Sequence, residues 1–191
     1  ESTVSPAAME LTLKPGTQVE SGNPKELLEN DMPLTLKNQK GVISKDSPVE
    51  LAFDVKAADK DAMSDGLVIE TGEDTNITSA SFQIEYVDED GKSYTRDIPV
   101  EERVHFLLED ENVKADWDKN GNIEVHLGRQ VAIKRVILTI MAVKDGAGNS
   151  VNLAEISKVE FVNGMENRIP EPEMNIPKNL SPTVGSSRIS L

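Results

Sequence analysis

The sequence predicts an all-β fold, a sandwich of two antiparallel sheets with one short helix, and three observations predict it. Short runs of alternating apolar and polar residues recur along the chain, as in Val49–Val55, Ser81–Tyr86 and Asn122–Leu127. That period of two marks strands with one buried face. Between the runs stand Asp-Gly and Asn-Gly pairs, which favour the positive φ of hairpin turns. No stretch keeps a 3.6-residue period long enough for a long helix.

Residues 1–7 read as an extension ahead of a single domain spanning 8–164. The one helical piece is Asn23–Glu29, where Asn23 caps, Pro24 suits the first helical position and Glu26 closes a capping box. Val87–Lys92 and Asp116–Asn122 are hairpins, and Lys144–Ser150 is a third, looser turn. In Ile123–Ile140, Gly128 turns the chain, and the slip of parity at Lys134–Arg135 predicts a bulge or bend. Residues 49–71 and 123–140 share the plan strand, turn, loop, strand, so two such units facing each other make the sandwich.

The closing strand is "LAEISKVEF", residues 153–161. Glu155 there shares its parity with Leu153, Val159 and Phe161. It is a solvated edge residue, a partner in a buried polar contact, or a ligand. From Asn163 the alternation stops and prolines accumulate, so 165–191 read as a linker, and the chain as a piece of a longer polypeptide.

The totals narrow the function. The chain has 191 residues, enough for one domain with a real core. Its 20 Lys and Arg against 34 Asp and Glu leave a formal charge of −14, which repels nucleic acid and anionic membrane. There is no cysteine, hence no disulfide, thiolate metal site or thiol nucleophile. No apolar run approaches the roughly 18 residues of a membrane helix. A soluble monomer is expected.

Catalytic patterns are missing from the sequence: no nucleophile elbow, phosphate-cradling loop or dinucleotide fingerprint occurs. His105 and His126 sit opposite in parity to their apolar neighbours and read as solvent-facing strand residues. Their spacing makes no zinc site. Asp116–Asn122 matches the first half of an EF-hand loop, but Leu127 stands where the required glutamate belongs, which leaves an ordinary hairpin. The acidic runs 88–90 and 109–111 read as solvated surface.

Three segments carry a likeness to a known family. "KELLENDMPLT", "IEVHLGRQVAIKRVILTI" and "LAEISKVEFVNG" follow one another in the order and spacing of the discoidin family. That is the galactose-binding-like jelly roll of coagulation factor C-type domains and many bacterial carbohydrate-binding modules. The chain resembles it over about residues 22–164. The tail "IPKNLSPTVGSSRISL" is similar to the start of a fibronectin type III module. The resemblance implies a structural calcium held by Glu29, Asn30, Asp31 and Thr35 from the early acidic segment and Glu155 from the closing strand. Such an ion takes six to eight oxygens, and Glu155 would otherwise accept backbone hydrogen bonds. Here Glu29-Asn30-Asp31 replaces the family's Asp-Gly-Asp. The family's sugar sites use exposed aromatics, and Trp117 is the candidate platform, with packing on the domain edge as its other reading.

The resemblance therefore implies a non-catalytic accessory module of a large extracellular bacterial hydrolase, a glycosidase or peptidase, secreted or attached to the cell wall. Its partners would be glycans or host-surface glycoconjugates and the neighbouring domains of its own polypeptide. The competing readings are a structural spacer without ligand and an Ig-like adhesion module.

Overall fold

The computed structural model describes residues 2–4, 8–23, 33–56, 63–72, 75–101, 113–118 and 120–164. Every regular element among them is a strand: β1 (Ser2–Val4), β2 (Ala8–Leu13), β3 (Thr17–Ser21), β4 (Leu34–Asn38), β5 (Val49–Lys56), β6 (Ser64–Thr71), β7 (Thr75–Asp88), β8 (Ser93–Glu101), β9 (Lys114–Trp117), β10 (Ile123–Asp145) and β11 (Leu153–Asn163). The predicted helix falls at 24–29, outside the described residues.

The all-β sandwich expected from the sequence is the observed architecture. One layer runs β3-β4-β11-β6-β10-β9 and the other β2-β5-β10-β7-β8. Strand β10 belongs to both. Its first part pairs with β6 and β9, and its later part pairs with β5 and β7. The sequence reading placed a turn at Gly128 and two separate strands, whereas the chain bends there and continues. Gly128 has φ 78°, and the ladder with β6 shifts register between His126 and Val131. A bulge bends a strand and raises its twist without ending it. The expected irregularity at Lys134–Arg135 is also present, as a register shift between Ile133 and Arg135. The layers are joined a second time where β8 pairs with β9, in parallel, through Val100↔Ala115 and Glu101↔Asp116.

One core lies between the layers, with Leu34, Leu36, Leu51, Leu67, Ile69, Phe82, Ile84, Tyr86, Ile123, Leu127 and Leu138 fully buried in it. Burying a side chain of this size is worth about 1.5–3 kcal/mol, so the alternation of these strands supplies most of the driving force. Residues 1–7, expected to lie ahead of the sandwich, contribute β1, which pairs Ser2–Val4 with Asn163–Phe161 of β11.

Three hairpin loops share one design. In Asp88–Lys92, Asp118–Asn122 and Asp145–Asn149 the leading Asp accepts backbone N–H bonds from residues two and four positions on, at 2.7–3.0 Å. The glycine at the fourth position takes φ 83–85° and donates to the Asp carbonyl. Asp suits the first place because its carboxylate satisfies the turn's own amides, and Gly the fourth because positive φ costs it little.

The closing strand has a different face assignment from the one its parity suggests. Its ladder with β6 shifts between Ile156 and Lys158, and Ser157 there donates through its hydroxyl to the carbonyls of Glu70 (3.1 Å) and Thr71 (3.2 Å). The bulge resets the alternation. Ala154, Ile156, Val159 and Phe161 all bury in one core, and Glu155 stands on the opposite side from them.

Candidate functional site

Of the five residues that the resemblance implies for calcium, the described structure contains two. Glu155 and Thr35 are direct partners across β11 and β4, both half-buried. The Glu155 side chain lies against Gly72, where any Cβ would overlap its carboxylate and its Cγ. Gly72 also donates its N–H to the Glu155 carbonyl at 3.1 Å. Glu29, Asn30 and Asp31 lie outside the described residues. A carboxylate and a hydroxyl side by side fit one side of an oxygen-donor site. Trp117 pairs with Ile123 at the end of β9, packs against the core and has its indole N–H buried.

Among the described residues, a concentrated aromatic and cationic surface lies elsewhere, at the bend of β10. Tyr86 and Tyr94 face each other across β7 and β8, with stacked rings 5.2 Å apart. Tyr86 is buried, while Tyr94 on the outer strand keeps part of its surface in solvent. Three cations surround the Tyr94 ring: Lys92 Nζ at 5.1 Å, the Arg96 guanidinium at 5.4 Å and the Arg129 guanidinium at 4.9 Å from its centre. A ring face is the negative end of its quadrupole, so each contact is worth about 0.5–1 kcal/mol where exposed.

Their placement follows from local structure. Lys92 closes the Asp88 hairpin loop. Arg96 follows Tyr94 on the same face of β8 and donates to the Tyr86 hydroxyl at 3.4 Å. Arg129 follows Gly128, whose positive φ directs the bend. Asp88 ties the group together, accepting from the Tyr94 hydroxyl at 3.0 Å and facing Arg129 at 3.7 Å. The Lys92 backbone amide foremost, then Tyr94, Asp90 and Arg129, hold its carboxyl below the usual carboxylate range, against an opposing contribution from burial.

Beside this patch a groove of about 280 Å³ runs between β8 and β9, lined by Arg96, Asp97, Ile98, Pro99, Val113, Lys114 and Ala115. It is large enough for a single sugar ring, and two of its lining residues are cations. A second groove of about 450 Å³ shares Asp97, Ile98 and Pro99 with the first and adds Glu50, Gln83 and Thr139.

A third cluster is internal. Asp116 and Glu124 are paired across β9 and β10, and His126 pairs with Lys114 in the next row. Asp116 is 1 % exposed, and Glu124 and His126 are each 5 % exposed. Their ligand-type atoms all lie within 4.8 Å of one another, and His126 Nε2 is 3.8 Å from an Asp116 oxygen. Parity put His126 in solvent. Parity does place it on the face away from the core, but that face is itself buried here, where Val68 and Val162 form a small apolar cluster. Two carboxylates side by side in a buried site are costly unless hydrogen-bonded or neutralised, and the His126 imidazole lies within reach of both. His105 lies outside the described residues.

No protein-family profile matches the sequence, and no curated protein matches it. Among solved structures, the chain is similar to the family 32 carbohydrate-binding module of NanJ from Clostridium perfringens in complex with galactose. That match has 10% identity over 84% of this chain and 97% of the other, with a TM-score of 0.47. It is also similar to the module CBM32-1 from a family 31 glycoside hydrolase of the same organism, at 12% identity, the same coverages and a TM-score of 0.44. A third is CpGH89CBM32-4 in complex with GlcNAc-α-1,4-galactose, at 15% identity over 80% of this chain and 88% of that one, TM-score 0.43.

The Tyr94 patch has one signal in the sequence, the shared parity of Tyr94, Arg96, Ile98 and Val100, which puts an aromatic and a guanidinium on the core-facing side of a strand. Arg129 and Lys114 join it only through the bend of β10 and the parallel pairing of β9. Neither is visible as a spacing.

Proposed function

We propose that this chain is a non-catalytic glycan-binding accessory module of a larger extracellular bacterial hydrolase, a glycosidase or peptidase, that holds its parent near glycans or host-surface glycoconjugates. The reading rests on the three sequence segments that resemble the discoidin family, and its site rests on one observation. Tyr94, an aromatic ring at the edge of a layer, is ringed by Lys92, Arg96 and Arg129 and opens beside a groove of sugar size. Sugar sites combine apolar surface with a few oriented polar groups, because a sugar has apolar faces and hydroxyls that need partners. Guanidinium and ammonium groups supply donors, and Ile98, Pro99 and Val113 supply the apolar wall.

The test is affinity electrophoresis and a broad glycan array on the wild type and on Tyr94→Ala. Binding that survives in Trp117→Ala and is lost in Tyr94→Ala supports the site, and the reverse pattern restores Trp117 as the platform. Silence of the wild type across the array would favour the spacer reading.

For the ion, we propose calcium between the segment of Glu29, Asn30 and Asp31 and the pair Thr35 and Glu155. An ion that binds only the folded chain raises its melting temperature. Superimposed melting curves for calcium-loaded and chelator-stripped protein would remove it.

A further inference from the structure

We propose that the sugar taken at this site carries an anionic group, a carboxylate or a sulfate ester, received by Lys92, Arg96, Arg129 and Lys114. The inference rests on the glycan reading above. Its first support is what surrounds the ring. One face of Tyr94 stacks on Tyr86, and three cations attend the ring, so the ring positions positive charge more than it offers a bare platform to a sugar. The second is charge placement. In a chain of net charge −14, three cations converge on one ring, and among the described residues Asp88 is the carboxylate that bonds to it. The groove beside it adds Lys114 from the neighbouring strand, with Asp97 as the acid among its described lining residues. The third is geometry: Arg96 lines the groove and also reaches the Tyr94 ring, so patch and groove are one surface.

The chemistry suits the proposal. A guanidinium presents five donors in a planar fork that fits a carboxylate or sulfate edge, so Arg96 can hold the Tyr86 hydroxyl and a ligand oxygen together. Lys92 and Lys114 act as mobile point charges. The second groove adds Glu50 to the shared Asp97 and has no cation among its described lining residues, so the charged unit sits toward Arg96 and Lys114.

The experiment is calorimetric titration of the intact chain with matched pairs that differ in charge: galacturonic acid against galactose, glucuronic acid against glucose, and galactose 6-sulfate as the sulfate arm. At least one acidic member should bind about tenfold or more tighter than its neutral partner. Its affinity should fall as salt rises, since exposed charges are screened over about 8–10 Å at 0.1–0.15 M salt. Arg129→Ala and Lys114→Ala should each cut that preference severalfold, bringing the acidic member closer to its neutral partner. Equal or better binding of the neutral members would overturn the anionic claim while the glycan reading stands. Failure of every sugar, charged or neutral, here and on the array, would overturn both.

Discussion

Replacing Gly72 by alanine should reveal how Glu155 holds the closing strand. The φ of Gly72 is not in the left-handed region, so the backbone accepts alanine there. The obstacle is the Glu155 side chain, whose carboxylate and Cγ occupy the space a Cβ needs. The carboxylate can swing aside, but Cγ moves only with χ1 of a residue pinned by β11 pairing and by the Gly72 amide. Forcing a methyl into such a site costs about 1–3 kcal/mol. In a Glu155→Ala background the overlap is gone, and alanine should gain about 0.4–1 kcal/mol by restricting the unfolded chain. The two changes should therefore couple by about 1.5–4 kcal/mol in a double-mutant cycle. Urea unfolding of the four proteins, with a common m-value, measures this. Equal cost of Gly72→Ala with and without Glu155 would refute the claim that the two side chains compete for one space.

Other outcomes follow from the same structure. His126→Ala should cost about 1–3 kcal/mol, because it removes a buried side chain that lies against two buried carboxylates; a melting temperature within 2 °C of wild type, a margin at the low end of the ~2–4 °C per kcal/mol expected at this size, would disprove that the imidazole supports this cluster. Asp88 and Asp145 both titrate below the ordinary carboxylate value of 3.8, each held foremost by a backbone amide of its own loop, that of Lys92 and that of Asn149. The unfolded chain then binds protons that the folded chain does not, so their stabilisation is complete above about pH 4 and is lost as pH falls through the lowered folded values. Acid titration of Asp88→Asn should show a shallower decline than wild type, and a parallel curve would count against it. Gly121→Ala should destabilise by about 1 kcal/mol or more, since its φ of 85° is one alanine adopts only under strain.

Much of the fold was legible because alternation reports burial directly when one face is wet. Strands β5, β7 and β11, the Asp-led hairpins and the slip at Arg135 all announce themselves that way. Three features did not. Strand β10 reads as two because a glycine that bends a strand and one that ends it look alike in sequence. Glu155 looked misplaced because the bulge at Ser157 resets the alternation, so parity counted back from Val159 and Phe161 assigns it to the wrong face. His126 was assigned to solvent by parity, a rule that fails where both faces of a layer are covered, as the buried run Ser64–Ile69 of β6 shows. The candidate site was the least legible part. Its cations come from β8, β9 and the bend of β10, and only the tertiary fold brings them to Tyr94.

The proposed glycan-binding surface is Tyr94 with the cations around it. The direct measurement is the dissociation constant of the tightest array ligand for wild type, Tyr94→Ala and Arg129→Ala, with folding of each variant verified by its melting curve. At least a tenfold loss is expected in Tyr94→Ala and a severalfold loss in Arg129→Ala, each at an unchanged fold. Wild-type affinity in folded Tyr94→Ala and Arg129→Ala would contradict it.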